Sequence, residues 1–153
     1  MTIRGLFRPL VALALAAGMA GSAAAATEAD VNARIDAVLG KHSRYEETIK
    51  LFQQAVVAGD KADVAAFVRY PIVVTIDGRK RTIDSSAEFI RNYDAIMTAG
   101  IVDAVKNQKY EDLLVNDEGV MFGNGEVWIS GICLSRHCKQ WVPKVITLQH
   151  SGL

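Results

Sequence analysis

The sequence predicts an α+β domain, with N-terminal helices packed on a curved, mostly antiparallel sheet that forms a cone with a pocket. Three observations carry this prediction. Apolar residues recur at helical spacing from residue 29 to residue 68. A β-branched run with a tight-turn dipeptide follows Pro71. After one more amphipathic helix, the rest of the chain reads as successive strands. A sheet bent by bulges and covered by helices on its concave side leaves a hollow at its wide end.

Residues 29–39 place Val31, Ile35, Val38 and Leu39 at helical spacing, and Gly40 supplies the stop. In the next segment Tyr45, Ile49, Phe52 and Val56 fall on one face; Ser43 and Glu46 have the spacing of a capping box. Gly59 ends that helix, and Asp60 opens a short third one over Lys61 to Val68. It must stop before Tyr70, because Pro71 excludes α conformation from the preceding residue. Residues 71–76 predict a strand, Asp77-Gly78 a two-residue hairpin turn, and residues 79–83 the returning strand. Ser85 and Glu88 form another capping box, starting a helix with an apolar stripe of Phe89, Ile90, Tyr93, Ile96 and Met97 that Gly100 closes. Ile101 to Lys106 add one or two turns.

Residues 110–115 predict a strand that turns through Asn116-Asp117-Glu118. The stretch GVMFGNGEVWISGIC then reads as one long bent strand with Gly123-Asn124-Gly125 as a bulge; a hairpin at residues 124–125 would leave a very short first arm. Gln140 to Gln149 form the last strand, in which Pro143 requires an edge or a bulge on its nitrogen side.

Residues 1–26 have the pattern of a cleavable signal peptide: Arg4 and Arg8, an apolar run from Leu10 to Ala20 too short to span a bilayer, and Ala24-Ala25-Ala26 at the cleavage position. The expected mature chain, residues 27–153, is a single domain with 15 basic and 17 acidic residues. That balance carries neither the footprint of a nucleic-acid binder nor a polybasic membrane patch, and no later apolar stretch is long enough for a membrane anchor. The expected location is periplasmic or secreted. Disulfides persist there, and Cys133 and Cys138, the only cysteines, flank a tetrapeptide that would bring them together at the base of a loop. With His137 they offer at most three zinc ligands, so a disulfide is the stronger reading than a metal or a thiol nucleophile. No phosphate loop, dinucleotide fingerprint or metalloprotease motif is present, so no cofactor and no metal are expected.

The string QQAVVAGDKADVAAFVRYPIVV, with Ala55, Gly59-Asp60 and Tyr70-Pro71, resembles the opening of exported bacterial members of the nuclear-transport-factor-2-like superfamily. EFIRNYDAIM resembles their middle helix and GVMFGNGEVWI their long bent strand. The resemblance implies the cystatin-like α+β cone. It also implies a homodimer through the outer sheet face, and a range of roles covering isomerases, dehydratases, cyclases, binding modules and immunity proteins.

The enzymes of that family place Asp, His or Tyr inside the cone, and no Asp–His pair stands at such positions here. Asp94 is the candidate base, with Tyr93 beside it; alternatively it pairs with an arginine such as Arg69. Trp128 and Trp141, expected on neighbouring strands, either floor a ligand pocket or belong to the core. Tyr70 stands at the first strand as a wall or as an inward hydroxyl. Asn124 and Glu126 flank the glycine-rich bend. Arg79-Lys80-Arg81 form either a solvated hairpin tip or an anion or partner contact. The expected function is a non-catalytic binding module for a small apolar ligand or a protein partner. The alternatives are a cofactor-free isomerase, dehydratase or hydrolase using Asp94, and an immunity or inhibitor protein.

Overall fold

The structure is a computed structural model and describes residues 25–150. The charged and apolar parts of the predicted signal segment, within residues 1–24, lie outside the described residues. Among the described residues no helix is long and apolar enough to cross a membrane.

Helix α1, Glu28–Val38, opens on a capping box that the sequence reading overlooked. Thr27 Oγ1 accepts from the Asp30 N–H, and the Asp30 carboxylate accepts from the Thr27 N–H. Gly40, with φ 114°, closes it by donating to the Ile35 carbonyl. Helix α2, His42–Ala58, buries Tyr45, Ile49, Phe52 and Val56 as its spacing requires. Its start differs from expectation, because Ser43 lies inside the helix and caps nothing. Instead Asp36 takes the His42 N–H at 2.8 Å and the His42 ring at 2.7 Å, while Glu46 pairs with Lys50. Asp60 caps α3, Lys61–Phe67, accepting from the N–H groups of Ala62 and Asp63.

Strands β1, Ile72–Ile76, and β2, Arg79–Ile83, form the predicted hairpin, with Asp77 and Gly78 both at positive φ as a type I′ turn requires. The following helix is not the single rod that the apolar stripe suggested. It is divided into α4, Ser86–Arg91, α5, Tyr93–Ile96, and α6, Ala99–Asn107. At Asn92 the backbone leaves the helical range, and its side-chain amide donates to the Glu88 carbonyl, a local bond that competes with the helix. Gly100 therefore closes nothing and lies within α6. Residues 110–112 form a single 3₁₀ turn rather than the start of a strand.

The last four strands are β3, Leu114–Asn116, β4, Gly119–Phe122, β5, Val127–Cys133, and β6, Trp141–Leu148. They form one antiparallel sheet in that order. The long bent strand is thus a hairpin, with Phe122 opposite Val127. Gly123 and Gly125 reverse the chain at positive φ, and the Gly125 N–H closes the turn on the Phe122 carbonyl. The short arm is tenable because β3 supports β4 on its other edge. The actual bulge is at Trp128/Ile129. Pro143 fits as expected. The Val145 carbonyl accepts from the Arg69 N–H, so the backbone groups of alternate β6 residues face away from β5, and the missing N–H of Pro143 falls on that side.

Where one sheet was expected there are two, the β1–β2 ribbon and the four-stranded sheet; an isolated parallel bridge from Val68, just after α3, to Val145 ties the chain entering the ribbon to β6. Val120, Phe122, Val127, Ile129 and Val145 face the helices and, with Ile35, Ile49 and Phe52, are fully buried in one continuous core. The class is α+β, as predicted.

Candidate functional site

Tyr70 and Tyr93 come together on either side of Phe89. Both rings meet it edge-on, with centroids 6.2 and 6.0 Å away. The Tyr70 hydroxyl donates to the Ala65 carbonyl at 2.9 Å, so it serves the end of α3 rather than a cavity. Burial pushes the Tyr70 phenol up to about 12. It also raises Tyr45, Tyr93 and Tyr110, with the Asp94 and Asp60 carboxylates adding to the effect on Tyr93. A raised folded-state value favours the neutral phenol, so this stability is complete below the ordinary tyrosine range near pH 10. It is lost as pH rises toward the folded value. We therefore expect a melting temperature that falls steeply between pH 10 and about 12, and less steeply in Tyr70→Phe, checked by circular dichroism with phenolate absorbance.

Asp94 lies outside this cluster. Its side chain is 83% exposed, and both carboxylate oxygens accept from Lys61 Nζ, at 2.9 and 2.8 Å. The partner is thus Lys61 and not Arg69, and the same ammonium stands 5.3 Å from the centre of the Tyr93 ring. An exposed pair of this kind is worth about 0–1 kcal/mol.

The two tryptophans are far apart in the register. Trp141 is opposite Cys133 and packs on α2: its ring lies 5.6 Å from Tyr45, with the Arg44 guanidinium 5.0 Å above it. Arg44 also donates to the Trp141 carbonyl at 2.8 Å. Trp128 is opposite Met121 and Thr147, on the sheet face turned away from the helices. Cys133 and Cys138 form a disulfide with Cα atoms 4.8 Å apart, in keeping with an oxidising compartment. Their loop holds His137 and Cys138 at positive φ, uncommon for residues other than glycine. The bond therefore pins the corner from which Trp141 docks on α2. Reduction is expected to cost about 2 kcal/mol by the chain-entropy argument, read as a lower urea midpoint with and without dithiothreitol.

Two further features come from the tertiary fold. Leu114, Met121 and Trp128 are direct cross-strand neighbours and form an apolar row over three strands on the outer sheet face, with Leu114 44% exposed. Ile132 and Val142 form a second opposed pair, both half-buried. Separately, α6, the 3₁₀ turn after it and the loop of residues 123–126 border an open, polar surface cleft of about 500 Å³ that includes Asp103, Asn107, Asp112, Asn124 and Glu126. Glu126 is the one buried charged residue among the described residues, and its carboxylate accepts from the Asn124 N–H at 2.6 Å, bracing the turn. The glycines around it were the sequence signal for that turn; its burial had none. Among the described residues no group of three or more His, Cys, Asp or Glu side chains is placed to hold a metal.

These features define an α+β domain whose helix–sheet interface is filled with side chains and whose outer sheet face carries a row of apolar residues, Leu114 exposed and Met121 and Trp128 half-buried. Comparison with known proteins finds no matching family model, no similar curated protein and no similar solved structure.

Proposed function

We propose that this chain is an exported, non-catalytic binding module that holds a protein partner on the outer face of its four-stranded sheet. The observation carrying the reading is the row Leu114–Met121–Trp128. Rows of this kind, large, apolar and uncovered by the chain's own helices, characterise protein-binding surfaces. The space between helices and sheet is occupied by Phe52, Phe122, Ile129 and Val145, which favours a protein partner over an enclosed apolar ligand. Asp94 stands at the surface in an ion pair, so the alternative reading, a cofactor-free enzyme, has no sheltered base at that position. The nuclear-transport-factor-2-like resemblance remains a reading of the sequence, with which the helix-then-strand order agrees at the level of an α+β class. The disulfide and the residue 1–26 pattern support export to a periplasmic or extracellular location.

Native mass spectrometry of the protein purified from its host tests this reading, with the Met121→Lys and Trp128→Ala variants alongside. The expected result is a bound polypeptide, either a second copy or another protein, that both variants lose while remaining folded. A small molecule retained through denaturing-free transfer, or a partner that both variants keep, overturns it.

A further inference from the structure

The β1–β2 ribbon offers a second surface, independent of the outer sheet face. Strand β2 pairs only with β1, and Arg79, Lys80, Arg81 and Thr82 are all exposed. In a two-residue hairpin the residues flanking the turn, here Ile76 and Arg79, exchange hydrogen bonds across the ladder. The alternate residues of β2, Lys80 and Thr82, consequently aim their N–H and C=O groups away from β1, at an open edge. Such an edge is a ready template for another strand.

The side chains decide which strand. Arg79 and Arg81 share the ribbon face of Ile76 and Val74, and with Ile76, Asp77 and Lys80 they border a hollow of about 570 Å³. Lys80 and Thr82 share the opposite face with Val73, itself 58% exposed. The ion pairs among the described residues are His42–Asp36, Lys50–Glu46 and Lys61–Asp94, so these three cations belong to none of them. They are clustered on one edge of a mature chain that is otherwise slightly acidic. Cations on an edge repel a second copy of the same edge and admit a strand of opposite charge.

We infer that the β2 edge binds an extended acidic segment of a partner protein by strand addition. Glutamates or aspartates at alternate positions meet Arg79 and Arg81, and β-branched residues between them pack beside Thr82 and the aliphatic stem of Lys80. Main-chain hydrogen bonds to Lys80 and Thr82 supply the register.

The probe is a capped heptapeptide alternating valine and glutamate, measured against the full chain by titration and by amide hydrogen exchange. A control peptide keeps every glutamate but carries a central proline, which removes a ladder donor. The expected result is protection of the Lys80 and Thr82 amides by the first peptide, binding about tenfold weaker for the control, and loss of binding in Arg79→Glu/Arg81→Glu. Both positions are exposed, and circular dichroism of that variant checks its fold. No binding, equal binding of both peptides, or binding without protection of the Lys80 and Thr82 amides overturns strand addition; in the last two cases the edge is a simple ionic contact or a guard against aggregation. None of these results bears on the Met121 and Trp128 variants, so the two proposals fail separately.

Discussion

Phe52→Ala is expected to destabilise the domain by about 3–5 kcal/mol, the range for deleting a fully buried aromatic ring. Phe52 is fully buried at the centre of α2, and its ring meets Phe67 of α3 and Phe122 of β4 edge-on, at 6.0 and 6.1 Å. It thus joins two helices to the sheet. The space it leaves is bounded by secondary structure on each side, so the walls have little freedom to collapse and the cavity cost adds to the lost transfer energy. Typical domain stability is about 5–15 kcal/mol, so the loss is a large share of the total. It should appear as a melting temperature about 10–20 °C lower. A drop comparable to that of an exposed substitution such as Asp94→Asn would mean that the helix–sheet core is not organised around this ring.

The features legible in the sequence were those written in a few adjacent residues. Asp60, Ser85, Gly40, Gly59 and Asp77-Gly78 each act within one turn of the chain, and each stands where its local chemistry requires. The β4–β5 hairpin was weighed and set aside for its short arm, which is supported by β3, a partner that only the sheet supplies. The break at Asn92 was missed for a related reason, since the apolar stripe continues across it while the backbone does not.

The candidate site was less legible than the fold. Tyr70 and Tyr93 were each candidates on separate elements, and their meeting on the two flanks of Phe89 is a tertiary contact that no local pattern announces. The role of Asp94 depended on Lys61, a residue 33 positions earlier on another helix. Trp128 and Trp141 lie on adjacent strands as expected, but the register separates them and their packing differs: one turns from the helices and the other docks on α2. The face on which a strand residue lies follows from pairing register, and a one-residue difference reverses it. The turn at residues 123–125 was read as a bulge, which concealed the pairing that builds the apolar row.

Gly119→Ala is expected to be comparably disruptive for the opposite reason, an added atom instead of a lost ring. Gly119 begins β4 at φ 144°, a conformation that residues with a side chain rarely adopt. A Cβ there would land on the carbonyl oxygen of Ile129 in β5 and come within 3.2 Å of the Ser130 Cβ. The obstacle is backbone, so no rotamer change relieves it. Strained backbone conformation alone costs about 1–3 kcal/mol. Pushing β5 away weakens ladder bonds worth about 1 kcal/mol each, at the pairing of Val120 with Ile129 that places the apolar row on the outer face. The sum is about 3 kcal/mol or more, measured as a lower urea midpoint, with faster amide exchange at Val120 and Ile129. At Gly100, inside α6 with open space around it, the same replacement should stabilise slightly, by up to about 1 kcal/mol. Similar urea midpoints for the two variants would show that the β4–β5 contact yields more easily than its geometry implies, and would remove the register on which the sheet-face reading depends.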